Sequence, residues 1–161
     1  MEKFQELIQQ AKKKIIIADH MLNSSYKLVG DPKILLSVST SLYVAVEAAM
    51  SSALEYERLF KRVPIFSDNF NSKYATFRNK LAPKHDIKKE DLLLIKELNE
   101  IYEAHKKSPV EFTRKDKFVI ASDTYELKTL EFSDIKTYLR RAKVFIEEMD
   151  KFTSRNDRIF R

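Results

Sequence analysis

From Lys33 to Val63 the chain contains neither glycine nor proline, and between Lys33 and Glu55 its only charge is Glu47. No other feature narrows the fold so much. Asp31-Pro32 opens the stretch with an N-cap acceptor and a proline at the first helical position, where a missing N–H costs nothing. Leu35, Val38, Leu42, Ala45, Ala49, Ala53, Tyr56 and Phe60 follow the i, i+3, i+4 rhythm. Leu36, Tyr43, Val46, Met50 and Leu54 fill an adjoining stripe. A helix that is apolar around most of its girth has to be surrounded. The spacing therefore predicts a rod over 31–62, about 48 Å long, at the centre of a helical bundle. Ile34–Leu54 is long enough to cross a bilayer, but six serine and threonine hydroxyls and a glutamate along 37–52 make a poor lipid face. The buried reading is preferred, and no membrane partner is expected.

The neighbours of this rod read as helices too. One is predicted from about Glu2 to Val29, with Phe4, Leu7, Ile8, Ala11, Ile15, Ala18, Leu22 and Tyr26 on one face and a bend or fray at Asn23-Ser24-Ser25. Gly30 is placed to close it in a left-handed cap. So short a link to the next helix favours an antiparallel pair. Ser67 or Asp68 is expected to cap a short third helix that ends at Pro83, and Asp86 a fourth that exits at Ser108-Pro109. Phe118–Ala121 and Thr124–Leu127 flank Ser122-Asp123 and predict a small hairpin. Ser133 is expected to cap a last amphipathic helix, with Ile159 and Phe160 in a basic tail after it. The fold class that follows is mainly α: a four- to five-helix up-and-down bundle with a small β-hairpin before the last helix, in one domain over 1–161.

Composition removes whole function classes. A single glycine leaves no room for a phosphate-binding loop or a dinucleotide-binding turn. With no cysteine there is no disulfide, thiolate metal site or cysteine nucleophile, which fits a reducing cytoplasm. The amino terminus lacks the apolar core of a signal peptide, and a cytoplasmic location is the expectation. The three histidines have neither H-x-x-x-H nor E-x-x-H company, so neither a metal nor another cofactor is expected.

Thirty lysines and arginines against twenty-four acids give a net charge of +6, a balance that suits an acidic partner. Two basic groups stand out. Arg78, Lys80, Lys84, His85, Lys88 and Lys89 precede the fourth helix, while His105, Lys106, Lys107, Arg114, Lys115 and Lys117 follow it. The second group has Phe112 between its cations, the combination that contacts phosphates and bases. As helix ends, both groups also serve the helix dipole and solvation.

The segment Leu42-Tyr43-x-Ala45-x-Glu47-Ala48-Ala49-Met50-x-x-Ala53-Leu54 resembles the long alanine-studded helix of HEPN domains, small helical bundles of prokaryotic toxins and defence systems. The helix order, short third helix and amphipathic last helix are similar as well. The chain also resembles a small archaeal family with no assigned activity, through Asp31-Pro32-Lys33, Tyr56-Glu57-Arg58-Leu59-Phe60 and Lys107-Ser108-Pro109-Val110-Glu111-Phe112. Active HEPN domains carry an Arg, a polar residue and, a few positions on, a His, which together cleave RNA without a metal, usually across a dimer interface. Arg78-Asn79 followed by His85 matches that spacing. The resemblance thus implies a homodimer and offers Arg78 and His85 as a catalytic pair, with the cation facing the developing phosphorane charge and the imidazole moving protons.

The preferred expectation is a noncatalytic or weakly active HEPN-like protein that binds RNA or a ribonucleoprotein through His105, Lys106, Lys107, Phe112, Arg114, Lys115 and Lys117. The alternatives are a metal-independent endoribonuclease using Arg78 and His85, and a protein–protein dimerisation module without nucleic acid.

Overall fold

The computed structural model describes residues 1–154. The first helix, α1, runs Lys3–His20, widens through one turn at Met21–Ser25 and ends as Tyr26–Val29. The Asn-Ser-Ser segment therefore loosens the helix without breaking it: the Tyr26 N–H reaches back five residues to the Met21 carbonyl, and Leu22 stays buried. Gly30 closes α1 at φ 70°, its N–H donating to the Tyr26 carbonyl at 2.7 Å. That left-handed position is where glycine avoids a Cβ clash. The chain then enters α2, Lys33–Leu59. Asp31 caps it as expected, its Oδ1 accepting the Lys33 N–H at 3.0 Å.

Helix α2 is the axis of the molecule. Both of its predicted stripes are buried from Leu35 to Tyr56, and 67% of its most apolar window lies inside the fold. The serines that argued against a lipid face have protein partners: Ser52 donates to the Phe4 carbonyl at 2.7 Å and Ser51 to Glu47 at 2.9 Å. Phe60 departs from the stripe and is 42% exposed, because α2 has ended at Leu59. There Lys61 turns left-handed at φ 56°, and the N–H groups of Lys61 and Arg62 close back on the carbonyls of Arg58 and Glu57, both at 3.0 Å.

The remaining helices wrap this axis. α3 spans Phe70–Thr76 and widens over Phe77–Leu81. Its cap is Asn69, which accepts the Ser72 N–H at 2.8 Å, not Ser67 or Asp68; Asp68 is drawn away by Lys73 at 2.9 Å. α4 spans Lys89–Lys107. Asp86 does not cap it, since Asp86 sits at φ 55° and Ile87 must first pack on the core; Lys88 takes the cap position. α5, Phe132–Ser154, begins one residue before Ser133, where Phe132 stacks on Tyr26 with centroids 5.3 Å apart. Packed together are five helices and, before the last, a sheet. Ile159 and Phe160 of the expected tail lie outside the described residues.

That sheet is larger than a hairpin. It has three antiparallel strands in the order β1-β2-β3: β1 Val110–Arg114, β2 Lys117–Ala121 and β3 Leu127–Leu130. β2 falls where the sequence predicts a strand. The next strand starts later than Thr124 because Ser122–Glu126 is a five-residue turn. In it the Ser122 hydroxyl accepts the Glu126 N–H at 3.0 Å, and Tyr125 adopts φ 62°. β1 was unforeseen; Val-Glu-Phe-Thr-Arg is a sheet edge whose burial never exceeds intermediate.

Candidate nucleic-acid interface

The register sorts the sheet into two faces. Phe118, Ile120 and Leu130 point into the main core. On the other face Val110 stands opposite Ala121, Phe112 opposite Val119 and Arg114 opposite Lys117, while Leu127 and Thr129 extend the first two rows from β3. This outer face is graded along the strands: an aliphatic row, an aromatic row, then a cationic row. Adjacent rows are two residues apart, about 6.8 Å. Val110 and Leu127 are exposed and Phe112 is 40% exposed. Val119 is only 3% exposed yet takes no part in the main core.

Beside this face Arg114, Lys115, Lys117, Val119, Leu127 and Thr129 line a cleft of about 260 Å³. The two-residue turn between β1 and β2 puts Lys115 at φ 59°, a conformation that disfavours a side chain, and lifts it at the tip. Lys117 is held by Glu131 at 2.9 Å, and that carboxylate keeps its ammonium above the ordinary lysine range. Among the described residues, Arg114 and Lys115 form no ion pair. The cleft therefore has an apolar floor and a rim of cations, two of them without an internal counter-charge.

The other expected RNA-binding residues are divided from this group. His105 Nδ1 lies 2.8 and 2.9 Å from the two Glu111 oxygens, so it ties the end of α4 to β1 on the side away from Phe112. Lys106 lies over the Tyr102 ring at 5.2 Å. Tyr102 in turn stacks on Tyr43 at 4.4 Å, whose phenol is pushed up by burial and then by Glu47. Lys107 pairs with Glu103 at 3.8 Å and borders a second groove of about 480 Å³ whose other charges include Glu100, Glu103, Asp123 and Glu126. An acidic wall of that kind repels phosphate. Of the seven residues, the structure gathers Phe112, Arg114 and Lys117 on one face with Lys115 at the adjoining turn, and it pairs His105, Lys107 and Lys117 with carboxylates.

Arg78 and His85 also meet different partners. Arg78 lies over Tyr74 at 5.7 Å. His85 Nε2 faces the Glu57 Oε1 atom at 3.8 Å, and its ring meets Phe152 edge-on at 4.8 Å. Glu57, 2% exposed, is gripped by Arg62 through two bonds, Nε at 2.8 Å and a terminal nitrogen at 3.1 Å. This carboxylate holds the guanidinium above its ordinary range. The same guanidinium covers Phe60 at 4.7 Å. The Glu57–Arg62–His85 cluster joins the end of α2, the turn after α3 and the end of α5. Sequence reasoning passed over it, because His85 lies 28 positions beyond Glu57 and because Glu57 is one of several charges, with Glu55, Arg58, Lys61 and Arg62, at that helix end. Its only sequence signal was an acid on the buried side of a stripe. Among the described residues no three histidines, aspartates or glutamates gather into a metal-binding group.

No family model, curated protein or solved structure matches this chain. The functional reading rests on the chain's own geometry.

Proposed function

We propose that this protein is a noncatalytic RNA-binding module whose contact surface is the outer face of the sheet and the β1–β2 turn. The observation that carries the reading is the placement of Arg114 and Lys115, two cations with no ion pair among the described residues, beside an exposed aromatic, Phe112. A protein that needed these groups only for its own stability would give the cations carboxylates, as it does for Arg62 and His105. Arg114 and Lys115 contact phosphates; Lys117, paired with Glu131, adds positive potential beside them, and Lys106 adds a more distant cation. Each phosphate contact releases condensed counterions, so affinity falls with salt in proportion to their number.

The test is a salt titration of RNA binding by the purified protein. The log–log slope is expected to flatten by about one to two when Arg114 and Lys115 are both changed to alanine. Lys80→Ala with Lys84→Ala, in the other basic group, is expected to leave the slope unchanged. Absence of binding at low salt, or a slope indifferent to Arg114 and Lys115, refutes the reading.

A further inference from the structure

We infer that the RNA segment recognised by the outer sheet face is single-stranded, with one base laid on the Phe112 ring and the adjoining phosphates on Arg114 and Lys115. This rests on the RNA-binding reading and narrows it.

The argument is the order of the rows. A cationic patch alone suits any phosphate backbone, paired or unpaired. Here the cationic row is followed, about 6.8 Å along the strands, by an exposed aromatic ring and then by aliphatic side chains. An aromatic face at that position contributes nothing to a duplex, whose base faces are covered by their neighbours. A single strand can splay a base onto it and gain stacking. The cleft fits the same reading, since its floor is the apolar pair Val119 and Leu127 and its polar lining besides the cations is the Thr129 hydroxyl. The backbone that presents Phe112 is fixed: it is paired opposite Val119, and the neighbouring Glu111 is anchored to His105. Arg114 follows Phe112 by two positions on the same face of β1, and Lys115 stands next to it at the turn, while Lys117 opposite is held by Glu131. A base on the ring therefore has its own phosphate within reach of two long cationic side chains.

The experiment compares a short unstructured RNA with a blunt duplex that has the same number of phosphates, and so half the length, titrated into the full-length protein at one fixed salt concentration. The single strand is expected to bind roughly tenfold tighter, and Phe112→Ala to weaken it roughly fivefold or more while leaving the duplex unaffected. Phe112→Tyr restores the single-strand affinity, and the salt slope is the same for wild type and Phe112→Ala. Unchanged urea midpoints confirm that these exposed-site variants fold. Equal affinity for both RNAs, with Phe112→Ala silent, overturns the single-strand inference and leaves the phosphate-binding reading standing. No binding of either RNA at low salt removes both.

Discussion

Two regions of this molecule place arginine beside phenylalanine, and they behave oppositely. At the end of α2, Arg62 lies over Phe60 but spends its charge on Glu57, a carboxylate almost wholly removed from water. At the end of β1, Arg114 shares a sheet face with Phe112, and among the described residues no carboxylate pairs with it. The local sequences, Phe60-Lys61-Arg62 and Phe112-Thr113-Arg114-Lys115, look alike. What separates them is a buried acid. A charge satisfied inside the protein fixes the fold, whereas one left open to solvent is available for a ligand.

The sharpest way to break the comparison is Glu57→Gln. It preserves shape but leaves Arg62 and His85 facing an amide, and unfolding in urea should show a loss of about 2–3 kcal/mol, reduced from a fully buried pair because Arg62 is half-exposed. RNA affinity of the folded protein should not change. A stability loss under about 0.5 kcal/mol would place the Glu57 cluster in the same class as an ordinary surface ion pair. The converse substitution, Arg114→Ala with Lys115→Ala, should move the unfolding free energy by less than about 0.5 kcal/mol while weakening RNA binding roughly tenfold at moderate salt.

A third test uses acids that the fold holds unfavourably. Burial raises the Asp91 carboxyl above its ordinary value, and burial together with Asp91 raises that of Glu148. A raised folded-state value means stability that is present below the ordinary carboxyl range and lost as pH rises through the shifted values. Stability contributed by this pair therefore declines from about pH 4 upward. Asp91→Asn, whose side-chain oxygen can still accept the Lys88 N–H, should flatten that decline in urea midpoints measured across pH 4–8. A steeper decline would reverse the assignment.

The smallest effect is expected at the left-handed lysines. Lys61 and Lys115 both sit at positive φ, where glycine avoids the Cβ penalty. Lys61→Gly should stabilise by about 0.5–1 kcal/mol, net of the extra freedom glycine gives the unfolded chain, with RNA binding unaltered. Lys115→Gly should stabilise similarly but weaken binding. If both variants bind RNA equally well, the turn tip is not part of the contact surface.

Much of the bundle was legible beforehand, and for identifiable reasons. The Asp31-Pro32 cap, the Gly30 stop and the two stripes of α2 depend on local geometry and on a period of 3.6, which sequence records directly. The cap of α3 was misplaced because several acceptors stood close together, and the choice among Ser67, Asp68 and Asn69 depended on Lys73, which claims Asp68; that of α4 was misplaced because Asp86 turns left-handed and Ile87 packs on the core before the helix begins. β1 escaped notice because its five residues alternate across an edge strand that buries neither face deeply. An edge strand is defined by the partner beside it, and that partner is β2.

The sequence by itself determined that a long apolar helix would lie at the centre of a mainly helical bundle, since such a surface has no other stable place in water. It also listed the cations and aromatics from which a site could be made. Only the tertiary structure decided which cations were spent. Glu57, Glu103 and Glu111 took Arg62, Lys107 and His105, and cross-strand register put Phe112 and Arg114 on one open face. Glu103–Lys107 is an i, i+4 pair that helical spacing alone allows, but Glu57–Arg62 and Glu111–His105 need a helix end to turn back on itself, and the open face needs strands to pair, geometry that exists only once the chain has packed.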